Sequence, residues 1–309
     1  MNSRSCTNLI LMAVALSGLL AATGYGPGPA DRELIVCGWD EVFILDLGET
    51  PAPRVWSWKA ETRPELPEGM RQKFKTTDEC KPVDGGTRIL ITSSGDGVAL
   101  VDRKTGKVLF YGSAGGAHSA VMLPGGRIAV AASTSKSPRN NSLVVFDISK
   151  PDQPLFQTEL VSGHGVVWDE ERLLLWALGL EQLRAYKLVD WQSNKPELEM
   201  ADEYRLPDRG GHDLSPVPRT GFLSVTTERR AFFFDRDQRT FRPHPMFGGV
   251  ENVKSITVNP LTGQIVWTKA DPGFWWTETL RLANPVKSIE RPGERLYKAR
   301  WVNAEATVR

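Results

Sequence analysis

"HSAVMLPGGRIAVAA", residues 118–132, decides the fold. A polar head residue starts a short apolar run. A Pro-Gly-Gly turn follows, then a second apolar strand begins about ten residues after the head. The same template recurs in "HGVVWDEERLLLWAL" (164–178), "HDLSPVPRTGFLSVT" (212–226) and "KSITVNPLTGQIVWT" (254–268). It is also met in "ECKPVDGGTRILIT" (79–92), and it breaks off after one strand in "KARWV" (298–302). Aligned this way, the heads are Glu79, His118, His164, His212, Lys254 and Lys298, spaced 39, 46, 48, 42 and 44 residues apart. A period in the forties made of short strands is that of a four-stranded propeller blade.

The other runs agree. "VFILDL", "GVALVD", "SLVVFDI" and "AFFFD" are strand-like, and "RKTGK" and "PLTGQ" are hairpin turns. No amphipathic helix stands out. At the N-terminus, "ELIVCGWDEVFILDL" and "RVWSWKA" supply a second, third and fourth strand with no first strand before them. The C-terminal "RLYKARWV" is expected to complete that blade and close the ring, leaving no open sheet edge. The sequence therefore predicts an all-β, six-bladed propeller over residues 31–309.

Residues 1–30 are read as a leader. Arg4 lies in a short polar head and an apolar stretch runs from Leu9 to Ala22, too short to cross a bilayer comfortably. The expectation is a secreted or periplasmic protein, monomeric and with no stable membrane insertion after cleavage. Cleavage would remove Cys6 and leave Cys37 and Cys80, which permit one disulfide without requiring it. A net charge of +1 gives no field for nucleic acid.

Heads of innermost strands ring one mouth of a propeller channel, and here every head is ionisable. Three of the chain's four histidines fall on this position in adjacent blades. Three imidazoles around one point suit a divalent metal: zinc or manganese, with calcium as a harder alternative. They equally suit direct hydrogen bonding to a ligand. Glu79, beside His118, is a candidate fourth ligand or general base. Lys254, Lys298 and Arg300, with Lys81 at the place matching Arg300, form a cationic arc suited to an anionic group, unless they only pair with acids in the channel. Lys254 and Lys298 are also candidate bases. His244, off the template, is expected to be structural.

The turns between second and third strands return to the same mouth. They carry Trp39, Trp275 and Trp276, which suit the faces of sugar rings or packing between blades, and polar Arg139, Glu181 and Arg229. No phosphate loop, nucleophile elbow or C-x-x-C motif appears in the mature chain.

The motifs "CGWDEVFILDL", "TTDECKPV", "ITSSGDGVALVDRKTGKVLFY", "AHSAVMLPGGRIAVAAS", "SGHGVVWD", "GHDLSPVP", "KSITVNPLTGQIVWTKA" and "RLYKARW" resemble the bacterial propeller family filed as domain of unknown function 6528. That resemblance covers nearly all of the mature chain. It implies an exported protein of glycan-degrading bacteria and brings no established activity. The architecture and histidine count are also similar, at fold level alone, to metal-dependent propeller lyases: oligogalacturonate lyases and peptide-amidating lyases. Two functions are expected from these features. One is a secreted, metal-dependent lyase or hydrolase acting on an acidic glycan or another small anion. The other is a non-catalytic propeller that binds carbohydrate or assembles in the cell envelope.

Overall fold

A computed structural model describes residues 28–304 and 307–308. Residues 1–27 of the leader predicted over residues 1–30 lie outside them. Six antiparallel four-stranded sheets form the blades. Blade 1 joins the two ends of the chain. Its inner strand is Lys298–Trp301, followed outward by Glu33–Gly38, Glu41–Asp46 and Arg54–Trp58. The register pairs Lys298 with Cys37 and Arg300 with Ile35, so the predicted closure is present. Blades 2 to 6 have inner strands Thr77–Val83, Ala117–Leu123, Gly165–Asp169, Asp213–Pro216 and Val253–Val258.

Both faces of each blade are buried, so the period-two alternation of a strand splits its side chains between two neighbours. Along Glu33–Gly38, Ile35 and Cys37 pack toward blade 2 with Cys80, Ile89 and Ile91. Leu34 and Val36 pack toward blade 6 with Val266, Leu280 and Leu282. The apolar core is accordingly a series of inter-blade clusters around the ring. This explains why the strands read as continuous apolar runs rather than as alternating ones.

The channel wall is tight. A Cβ at Gly165, in the inner strand of blade 4, would come within 2.5 Å of Leu214 Cβ in blade 5. A Cβ at Gly38 would meet the Arg295 carbonyl oxygen at 2.0 Å, which seats the first turn of blade 1 against the loop feeding the closing strand. At the far end, the two-residue strand Thr307–Val308 runs parallel to Trp168–Asp169 of blade 4, opposite the blade it leaves. No helix among the described residues is long and apolar enough to cross a membrane.

Candidate functional site

The six strand heads form two tiers, and the sequence alignment had mixed them. In blades 4, 5 and 1 the head N–H bonds to the second strand: His164 to Leu178, His212 to Thr226 and Tyr297 to Cys37, all at 2.8–2.9 Å. In blades 2, 3 and 6 the register breaks around the head: Thr77/Glu79, Ala117/Ser119 and Val253/Ser255 flank Asp78, His118 and Lys254. A bulge re-aims the extra side chain. The mouth tier is therefore Asp78, His118, His164, His212, Lys254 and Tyr297. Glu79 and Lys298, expected at the mouth, lie one residue deeper, level with Ser119, Gly165, Asp213 and Ser255. The misplacement arose because Asp78-Glu79 and Tyr297-Lys298 each offer two polar candidates, and pattern alone does not locate a bulge.

The deeper tier is a closed electrostatic plug. Arg300 Nε and Nη2 donate to the two Glu79 oxygens at 2.9 Å, and Nη1 donates to Asp213 Oδ2 at 3.0 Å and Thr257 Oγ1 at 3.0 Å. Lys298 Nζ lies 3.2 Å from Asp213 and 3.5 Å from Glu79. Lys81 Nζ donates to the Val166 carbonyl at 2.7 Å and to Ser119 Oγ at 2.9 Å. Glu79 and Lys298 have no exposed surface, and Arg300 is 3% exposed. Burial opposes ionisation of Glu79, but Arg300, Lys298 and Lys81 outweigh it and hold its carboxyl down to about 2. Asp213 is held below its usual range in the same way. Burial pulls Lys81 down to about 8. Glu79 is thus placed as a structural anion, without a basic lone pair to spare. The Arg300 guanidinium is fully committed to protein partners rather than open to a ligand anion.

The mouth tier has different chemistry. His118 Nδ1 lies 2.8 Å from the Gly116 carbonyl oxygen, and His164 Nδ1 lies 2.8 Å from that of Ser162. A carbonyl only accepts, so both rings carry a proton on Nδ1 and leave Nε2 free of backbone contact. The ring centroids are close: His118–His164 4.2 Å and His164–His212 5.5 Å. Burial, then the neighbouring imidazoles, pushes His164 well below the usual histidine range. Burial and the Lys254 ammonium do the same to His212. His212 Nε2 accepts from Lys254 Nζ at 2.9 Å, while its Nδ1 is buried without a partner. Burial lowers Lys254 to about 8. Asp78 Oδ1 stands 3.6 Å from His118 Nε2, and burial raises its carboxyl. Tyr297, between Lys254 and Asp78 in the ring, was missed because it is aromatic where polar heads were sought.

Among the described residues, no three His, Cys, Asp or Glu side chains are already drawn together as a metal cluster. The donor set nevertheless fits a borderline ion. His118 and His164 have the tautomer and backbone anchor typical of metal ligands, and His212 adds a third nitrogen once Lys254 releases it.

The rim connects to this tier through rings. Trp39 and Trp275 stack at 5.7 Å, Trp275 meets Tyr297 at 5.6 Å, and Tyr297 meets His118 at 6.5 Å. The Arg295 guanidinium lies over Trp39 at 4.1 Å and Trp276 at 5.4 Å. Trp39 and Trp275 are 38% and 40% exposed. A cleft of about 360 Å³ opens beside Trp39, lined by Asp40, Glu41, Arg54, Glu294 and Arg295 among others. The expected polar contacts are more dispersed. Arg139 is tied to the Ser113 carbonyl and Asp152, Glu181 pairs with Arg209 at 3.3 Å, and Arg229 is solvent-exposed. His244 is structural as expected. It is wedged between Phe233 and Phe247 and takes the N–H groups of Met246 and Phe247 on Nδ1.

The model of the family of unknown function DUF6528 matches residues 41–308. The chain belongs to that family. Apart from blade 1's second strand, Glu33–Gly38, the match spans all six blades and every mouth-tier residue. Trp39, on the rim, falls just before it. No curated protein matches the chain. Membership in DUF6528 thus brings no activity, and the site carries the functional argument.

Proposed function

We propose that this exported DUF6528 propeller acts on an acidic glycan at its mouth tier, with a divalent ion held by His118, His164 and His212. The observation that carries this reading is the pair of Nδ1–H anchors at 2.8 Å, which leave two Nε2 nitrogens free of backbone contact above an ion-paired floor. When bound, a zinc or manganese ion would supply a Lewis acid for a uronate carboxylate and the negative charge that develops beside it. Lys254 is the base of this scheme. Its Nζ stands on the His212 nitrogen at the mouth, and a lysine near 8 is substantially available as the amine at neutral to mildly basic pH. Lys298 is passed over because its ammonium is spent on Glu79 and Asp213. Trp39 and Trp275 offer indole faces for a neighbouring sugar ring.

Elemental mass spectrometry of the purified mature protein tests this directly. The expected result is close to one equivalent of zinc or manganese, lost in His118→Ala/His164→Ala/His212→Ala. Absence of metal from both, even after reconstitution, would overturn the metal. A second reading then stands on the Lys254–His212 contact, which already occupies one imidazole lone pair: a metal-free clamp in which neutral imidazoles and Lys254 bind an anionic sugar without turning it over. Glycan arrays separate that binding module from an enzyme.

A further inference from the structure

Two buried thiols take no part in the site just described. Cys37 lies in the second strand of blade 1 and Cys80 in the inner strand of blade 2. Both are free and have no exposed surface. Their Sγ atoms approach the same acceptor, the Lys298 carbonyl oxygen, at 3.6 and 3.9 Å. Both pack in the same cluster between blades 1 and 2. The shared acceptor belongs to the residue paired with Cys37 across the closing strand. The thiols therefore meet where the ring is sealed, next to Glu79 of the plug.

We infer that Cys37 and Cys80 form a disulfide that clasps blade 1 to blade 2 when the chain folds under oxidising conditions. The oxidant must act before closure, because the native thiols are shielded from solvent. Until the C-terminal strand arrives, Cys37 lies on an unsealed blade and is reachable. A disulfide-bearing oxidant such as oxidised glutathione suffices. One cysteine thiolate attacks it, forming a mixed disulfide and releasing one reduced glutathione. The second thiolate then displaces the other glutathione and forms the Sγ–Sγ bond. The two thiols thus lose two protons and two electrons, and one oxidised glutathione becomes two reduced molecules. The link closes a segment 43 residues long, for which chain entropy predicts a rise in melting temperature of about 5–10 °C.

The test is to unfold the reduced full-length chain, refold it with oxidised glutathione, block free thiols with iodoacetamide under denaturing conditions, and map peptides without reduction. The expected result is one cross-linked species containing Cys37 and Cys80, split by reductant, with a melting temperature above that of the same protein refolded in reductant. Cys80→Ser should leave Cys37 alkylated and remove the dependence on reductant. Recovery of Cys37 and Cys80 both alkylated from chain with a native circular dichroism spectrum would overturn the clasp. So would finding Cys37 or Cys80 joined only to Cys6 or to glutathione.

Discussion

The mouth and the floor of the channel lie only one to three residues apart along the inner strands, yet they solve opposite problems. On the floor, three cations meet two carboxylates with no solvent, and every charged side chain has a protein partner. At the mouth, histidines kept neutral by burial and Lys254 held near 8 retain open nitrogens or a single replaceable contact. Polar residues inside a propeller are therefore not one functional ring. Charge that is paired and dry holds the blades together; neutral donors at the entrance remain available to a ligand.

The largest expected effect tests the floor. Arg300→Met removes the guanidinium that bridges Glu79 and Asp213 and leaves both carboxylates short of hydrogen bonds. Breaking a buried ionic network in this way costs about 3–5 kcal/mol. Urea denaturation should show that loss, while metal or ligand binding per folded molecule stays intact. If Arg300→Met were as stable as wild type but failed to bind, the division between floor and mouth would be wrong, and Arg300 would belong to the site.

Next comes pH. Lys81 on the floor and Lys254 at the mouth are both near 8 in the folded chain, against 10.5 for an ordinary lysine. Between those values the unfolded chain binds more protons than the native one, so stability rises as pH increases from about 8 to 10.5. Each lysine held at about 8 costs the native state about 3 kcal/mol below that window. Lys254→Met should flatten the rise by roughly half, as read from unfolding free energies at pH 7.5 and 10. On the acid side, His164 and His212 are held below their unfolded values, so stability falls as pH drops below about 6.5. Bound metal should raise stability at neutral pH and deepen that fall, because its affinity drops as the imidazoles protonate. An unchanged alkaline slope in Lys254→Met would show that Lys254 is not held near 8.

How much of this was legible beforehand follows from the same contrast. The repeat of strand, turn and strand placed six blades and their closure, because inter-blade burial forces nearly every strand position to be apolar. The histidines were found for the complementary reason: polar residues at one recurring position break that pattern. Glu79 and Lys298 were put a tier too high because bulges at Asp78, His118 and Lys254 are set by hydrogen-bond register, which side-chain polarity does not reveal. Tyr297 was lost in the same slip. That Arg300 is saturated could not be read at all, since Glu79 and Asp213 meet it from positions 221 and 87 residues away in the chain.

A smaller effect on stability, with a large one on function, is expected for His164→Ala. The ring is half-buried at the mouth and, among the described residues, its hydrogen bonds are local, through Ser162. Its loss should change unfolding free energy by about 1 kcal/mol or less, yet remove the central nitrogen of the three. Paired measurements of metal content and urea midpoint check this. A large drop in midpoint with metal retained would make the imidazole a structural filler like His244.

The smallest effect is reserved for the rim. Trp39 and Trp275 stack on each other and remain two-fifths exposed, so neither is essential to a blade core. If they form a platform for a sugar, Trp275→Ala should weaken binding of an oligosaccharide about tenfold, about 1.4 kcal/mol, and leave metal content and melting temperature unchanged. A monosaccharide occupying only the histidine tier should be insensitive to the same change. Equal losses for the short and long ligands would mean that Trp275 acts through Tyr297, its edge-on neighbour at 5.6 Å, by setting the position of the mouth tier instead of extending it. The size dependence of the loss thus decides whether the aromatic path from rim to histidines is a continuation of the site or a support for it.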